Sequence, residues 1–325
     1  MKPGKLTNEQ LHEAVLSHIE PQRRETKIGP AVGEDCAVVR WSDDYVVMTT
    51  DPITAASEGA GSLAVEVCCN DIASAGAEPV ALLLTLLIPP SAHMADIEAI
   101  MADAQAAAER VHADIVGGHT EVTDAVNRIV VSVTAIGRAS KRVISTAGMK
   151  PGDTIVMTKW AGLEGTLILA RDYREKLESM VSDAVLEEGM RLASCLSVLP
   201  ESRVAVRCGA TAMHDITEGG VYGAVWELAN ASSCGAVIDR DAIPLLSSTR
   251  QICKKIGTDP YRLISSGCLL IACPDGEKLC AALQEKHIPC AVIGHATDGD
   301  ILLKTPEGLF PLDPPGADEI YSIDL

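Results

Sequence analysis

Aromatic side chains are nearly missing from this 325-residue chain: they make up 3% of it, and Phe310 is the single phenylalanine. Core packing therefore falls to Ala, Val, Leu and Ile, within a 47% hydrophobic composition. Basic residues are also sparse. Lys and Arg number 27 against 45 Asp and Glu, a formal net charge of −18, and no basic run breaks the acidic balance. Nucleic acid is excluded as a partner on that ground, because phosphate backbones are held by grouped Lys and Arg. A nucleotide ligand is not excluded, since Mg²⁺ held by carboxylates can bridge an acidic protein to phosphates. No apolar run reaches the ~18 residues of a membrane span. None of the eleven cysteines forms a C-x-x-C pair, and most sit in apolar runs such as SGCLLIAC. With no signal peptide in MKPGKLTNEQ, they read as reduced core residues of a cytoplasmic protein without the ligand spacing of a zinc site.

What is present organises into two similar-sized halves, 1–149 and 150–325, with the turn Pro151–Gly152–Asp153 just inside the second. In the first half, Thr7 and Gln10 form a capping box ahead of a helix whose apolar face is Leu11, Val15 and Ile19. DCAVVRW and YVVMTTDPI read as strands joined at Ser42–Asp44. A nearly all-apolar helix follows from about Ser62 to Ala75, stopped by Gly76. VALLLTLLI suits a strand buried on both faces. Ser91 to about Ala113 is an amphipathic helix, IVGGHTEV a short strand breaking into a glycine loop, and RIVVSVTAIGRA another strand. In the second half, strands are expected at 153–159, 210–216, 235–243, 267–273 and 290–296. Helices are expected at 163–173, 180–193, 219–231, 247–256 and 276–286. The fold class is α/β, of a mixed α+β kind, in two domains.

Candidate chemistry gathers at element ends. The first half offers Asp35 in VGEDCAVV, Asp51 in TTDPI, Asn70 and Asp71 in CCNDIASAG, and Gly117, Gly118, His119 and Glu121 in VGGHTEV. Each has a plain alternative. Asp35 and Asp51 are also ordinary strand-end turn residues, Gly117–Gly118 an ordinary tight turn, and Asn70 part of a wetted stripe with Glu66 and Ser74. Taken as one set, short carboxylates converging on oxygen-rich space are what Mg²⁺ requires. Asp71 among Cys68, Cys69, Ile72 and Ala73 is costly unless paired or metal-bound. The glycines admit backbone N–H groups to phosphate oxygens. In MHDITEGGVYGAVWELA a strand ends at His214–Asp215, and Thr217–Gly220 turns into a helix. That places a helix N-terminus, open to anions, beside His214, Asp215 and Glu218 as acid/base groups. The alternative for His214 is a satisfied strand-end histidine.

Seven segments in order, GPAVGEDCAVV, TTDPI, NDIASAGAEPVALLLTL, VGGHTEV, KPGDTIVMT, HDITEGG and SSGCLLIAC, resemble the aminoimidazole ribonucleotide (AIR) synthetase superfamily over about residues 25–300. Thiamine-monophosphate kinase, selenophosphate synthetase and the hydrogenase maturation factor HypE belong to that superfamily. The resemblance implies a two-domain protomer that forms a homodimer through N-terminal domains whose strands build a barrel. It implies ATP in a groove at the inter-subunit cleft and ATP-driven phosphorylation of a small or protein-borne acceptor. Carried over residue by residue, Asp35, Asp51 and Asp71 match the metal and phosphate carboxylates, with Glu121 as a further metal ligand. Asn70, Thr50, Gly117, Gly118, His119 and Thr120 fall to the ATP side, and His214, Asp215 and Glu218 to the acceptor side.

The chain departs from the family in two ways. It ends EIYSIDL, without the terminal cysteine on which HypE carries its carbamoyl group, although the overall likeness is to HypE. His119 stands where the kinase and HypE have Asp and AIR synthetase has Glu, so that Glu121 compensates or His119 contacts phosphate. Two readings follow: an ATP- and Mg²⁺-dependent enzyme, or a nucleotide-binding sensor or maturation partner without turnover.

Overall fold

The structure is a computed structural model that describes residues 7–19, 23–53, 59–140 and 142–323. The first half is one six-stranded sheet. Its strands are β1 (Thr26–Ile28), β2 (Ala37–Trp41), β3 (Asp44–Ile53), β4 (Glu78–Ile88), β5 (Asp114–Val122) and β6 (Val130–Ala139). They lie in the order β1-β2-β3-β6-β4-β5, antiparallel except where β5 runs parallel to β4. Three helices accompany them: α1 (Asn8–Ala14), α2 (Ala60–Ser74) and α3 (Met94–Val111). The Thr7–Gln10 capping box is formed at α1, yet no residue of that helix is buried. VGGHTEV does not break: β5 continues through both glycines, paired along β4.

All of α2 except Ser62 and Val67 is buried, as expected of a helix apolar on nearly every side. Its packing against α3 is close enough that a Cβ on Gly61 would lie 2.1 Å from the Ile100 carbonyl oxygen. On β4 the expectation of two-sided burial is corrected. Leu82, Leu84, Leu86 and Ile88 face the core, whereas Val80 and Leu83 are exposed on the other face. Exposed Val116 of β5 lies beside it at the sheet edge.

The second half holds β7 (Thr154–Thr158), β8 (Ala212–Ile216), β9 (Gly235–Asp239), β10 (Cys268–Cys273), β11 (Cys290–Thr297), β12 (Ile301–Thr305) and β13 (Gly308–Pro311). Their order is β13-β12-β9-β11-β7-β10-β8. Around them lie α4 (Leu163–Asp172), α5 (Arg174–Leu177), α6 (Asp183–Arg191), α7 (Leu199–Cys208), α8 (Gly220–Ala231), α9 (Ser247–Ile256) and α10 (Gly276–Gln284). The elements α5, α7, β12 and β13 were not anticipated. One apolar core runs from the first sheet through α2 to α7 and β10, so α2 is a shared wall between the halves. No helix among the described residues is long and apolar enough to cross a membrane.

Candidate active site

The polar stripe of α2 is not wetted. Glu66 accepts a bond from Arg110 at 2.7 Å. Ser74 Oγ lies 3.0 Å from an Asp35 carboxylate oxygen. Asn70, wholly buried, donates from Nδ2 to the Leu196 carbonyl and accepts at Oδ1 from the Val198 N–H, each at 2.8 Å. This corrects the placement of Asn70 on the ATP side: its amide is spent on the backbone ahead of α7 and ties the halves together. Removing it leaves a buried N–H and a buried carbonyl unpaired. Asn70→Ala is accordingly expected to lower the unfolding free energy by about 3 kcal/mol, read by urea denaturation.

Asp71, one residue on, points about 100° further around the helix. Thr49 of β3 donates to its Oδ2 at 2.6 Å. Side chains alternate along a strand, so Asp51 shares the face of Thr49. Thr50 projects to the open face and donates to the Val133 carbonyl at 3.1 Å, which separates it from Asp71. Asp35 and β8 complete the cluster. Ligand atoms of Asp35, His214 and Asp215 lie within 4.8 Å of one another. Burial, and then the charges of Asp215, Asp51 and Asp35, push the Asp71 carboxyl well above the usual range. Burial and the same four carboxylates, Asp71, Asp35, Asp215 and Asp51, push up the thiol of neighbouring Cys36. Four carboxylates within electrostatic reach of one another, Asp71 and Asp215 buried and Asp35 and Asp51 half-buried, fit a hard divalent cation bound through oxygen.

The imidazole itself is fully engaged. His214 Nδ1 is 2.8 Å from Asp35 Oδ1 and its Nε2 is 3.1 Å from Glu227 Oε2. Burial opposes its charge, but Asp35 and Glu227 prevail and hold it well above the ordinary histidine range. With both nitrogens donating to carboxylates, His214 has no lone pair to offer a substrate. The expectation of an acid/base role is corrected: His214 positions Asp35.

Gly117, Gly118, His119, Thr120 and Glu121 are not brought to this cluster within one protomer. They lie on β5, and the register runs Asp51–Val133–Leu84–Gly118 across three strand spacings, about 14 Å. His119 and Glu121 are exposed there, 3.6 Å apart. As a metal ligand, Glu121 is therefore corrected for the single chain.

Glu218 is also set apart. It accepts from the Tyr321 hydroxyl at 2.9 Å. The helix N-terminus read as an anion site is already taken, because Asp318 Oδ2 accepts from the Gly219 N–H at 2.7 Å. Burial pushes the Asp318 carboxyl up to about 6 and that of Glu164 in α4 up to about 7, with Glu218 raising both. A carboxylate whose folded value is raised stabilises the fold below its unfolded value, and that stability is lost as pH rises through the folded one. Unfolding free energy should thus grow by about a few kcal/mol as pH falls from 7 to 4, and Glu164→Gln should flatten the part of that slope between about pH 5 and pH 7.

Sequence comparison agrees with the geometry. Residues 33–139 match the N-terminal domain of AIR synthase related proteins, and residues 150–302 match the C-terminal domain. The chain belongs to the AIR synthase-related family. It is 28% identical to a putative hydrogenase expression/formation protein of Methanocaldococcus jannaschii, over 98% of this chain and 96% of that relative. It is 30% identical to the carbamoyl dehydratase HypE of Cupriavidus necator, over 74% and 69%. Among solved structures, hydrogenase maturation protein HypE in complex with ATP superposes with a TM-score of 0.72 at 22% identity, over 98% of both chains. The family's two-domain AIR synthase-like fold is the fold of this chain.

Asp35, Asp51, Asp71 and Asp215 were legible as candidates. Thr49, Ser74, Glu227 and Asp318 were missed. Thr49 was accessible through the alternation that pairs it with Asp51, and Ser74 through its i+3 spacing from Asp71. Nothing in the pattern around Glu227 or Asp318 marked either one.

Proposed function

We propose that the chain is an ATP- and Mg²⁺-dependent enzyme that activates its acceptor by phosphoryl transfer, as a kinase or as an ATP-driven dehydratase or cyclo-ligase. The observation that carries this reading is the convergence of Asp35, Asp51, Asp71 and Asp215 where the two halves meet. The HypE relative and the HypE structure with ATP support it. Asp35, Asp51, Asp71 and Asp215 would hold Mg²⁺, which neutralises phosphate charge when bound. The surrounding residues act by placement: Thr49 fixes Asp71, while Ser74 and His214 fix Asp35. Catalysis of this kind is mostly positioning and charge neutralisation.

Two copies pair through the open apolar faces of their first sheets, around Val80, Leu83 and Val116, since contiguous exposed apolar surface marks an interface. Pairing sets β5 of one protomer, with Gly117, Gly118, His119, Thr120 and Glu121, against the carboxylates of the other, and Thr50 at the seam. The acceptor enters beside Asp215 and Glu218. Mixed dimers test this. Asp71→Asn and the double variant His119→Ala/Glu121→Gln should each be inactive alone. After co-refolding they should recover about a quarter of wild-type ADP release, because half the dimers are mixed and each keeps one intact site. No recovery would sink the shared-site arrangement.

A second reading, a nucleotide-binding maturation partner without turnover, is favoured by one observation: Asp318 fills the anion position at Gly219. That reading requires Mg²⁺-dependent ATP binding with no ADP release under any acceptor.

A further inference from the structure

Two of the eleven cysteines meet away from the carboxylate cluster. Cys280 sits on α10, packed in the core beside Leu279, Leu283 and Ile288. Cys290 is the first residue of β11, half-buried and opposite Thr158 of β7. The five residues between α10 and Cys290 form a pinned turn. Lys286 and Ile288 donate to the Leu283 carbonyl, His287 donates to that of Gln284, and His287 takes a positive φ of 59°. The turn brings Cys290 Sγ to 3.6 Å from the Cys280 carbonyl oxygen. The interaction of the two thiols lowers Cys290 below the ordinary thiol range and raises Cys280 above it. Every other cysteine with a resolved shift, among them Cys68, Cys69, Cys253, Cys268 and Cys273, moves upward, chiefly through burial.

We propose that Cys280 and Cys290 are a site of reversible oxidation, at which a hydroperoxide converts the two thiols to an intramolecular disulfide. The thiolate is the reacting form, so the partly exposed Cys290 attacks first. Its sulfur displaces hydroxide from the peroxide O–O bond and becomes a sulfenic acid. Cys280 then attacks that sulfur, the S–S bond forms, and the sulfenic oxygen leaves as water. Two thiols and one H₂O₂ give one disulfide and two waters. A dithiol reverses the step by exchange. The bond ties α10 to β11, which β7 and β10 separate from β8 and its carboxylate cluster.

The test treats the full-length protein with hydrogen peroxide, then denatures it and alkylates it with N-ethylmaleimide for mass spectrometry. Reduced protein takes eleven adducts. Oxidised protein should take nine, with a peptide pair linked between 280 and 290, and dithiothreitol should restore eleven. Cys290→Ser should keep all ten of its remaining thiols after peroxide. Cys280→Ala, which leaves Cys290 in place, should instead trap a sulfenic acid that dimedone labels. Eleven adducts after oxidation would overturn the proposal. So would a bridge between other cysteines, or Cys290 advancing to the sulfinic acid while Cys280 stays alkylatable.

Discussion

Asp71→Asn is expected to lower Mg²⁺-dependent ADP release by at least about 10²-fold while leaving the melting temperature of the ligand-free protein unchanged. The two halves of this expectation have one cause. Asp71 is enclosed with Asp35, Asp51 and Asp215, and burial together with their charges disfavours its ionised form. Without a cation the ionised side chain is disfavoured, and an amide has the same shape and still accepts from Thr49. The fold therefore loses nothing. When Mg²⁺–ATP is present the charge is needed, and removing one preorganised electrostatic partner of a transferring group typically costs 10²–10³ in rate. Activity assays paired with thermal melts read both. A variant that unfolds, or one that keeps its turnover, contradicts this role for Asp71.

Gly118→Ala is expected to destabilise the protein by about 3 kcal/mol or more, whereas Gly117→Ala should stay within about 1 kcal/mol of wild type. The neighbouring glycines read alike in sequence but differ in structure. Gly118 has φ +150°, and a Cβ there would lie 1.8 Å from the Leu84 carbonyl oxygen of β4, inside backbone that is itself paired. Relief requires β5 to peel from β4. A Cβ on Gly117 meets only Leu83 Cδ2 at 3.5 Å, an ordinary contact. The demand for glycine at 118 thus comes from the approach of two strands, with or without a phosphate nearby. Urea denaturation of the two variants separates these cases, and equal stability would remove the steric explanation.

The fold was legible where local pattern and tertiary environment agree. Apolar periodicity located α2, α3, β4, β6 and most of the second half to within a few residues. It failed at β5, because glycines usually end strands and here β4 carries the strand through them. It misjudged β4 as well. A continuous apolar run signals burial on both faces, but among the described residues only one face has a cover, and the other is the face proposed above to pair with a second copy. At the site, four carboxylates stood out because carboxylates are scarce among apolar neighbours. Their supports were harder to see. Asn70 beside Asp71 looked functional, yet on a helix consecutive residues diverge by about 100°, and that rotation sends one amide to the backbone at Leu196 and the adjacent carboxylate to the cluster. Glu227 and Asp318 act across 13 and 99 residues of sequence respectively, on His214 and Gly219. No spacing rule connects such pairs.

The central claim is that Asp35, Asp51, Asp71 and Asp215 form a site for a divalent cation and the phosphates of ATP. Calorimetric titration of the purified protein with ATP, in Mg²⁺ and again in EDTA, tests it most directly. Saturable binding in Mg²⁺ that weakens at least tenfold, about 1.4 kcal/mol, in EDTA is the predicted result. Equal affinity in the two buffers, or no binding by the folded protein, would contradict the claim.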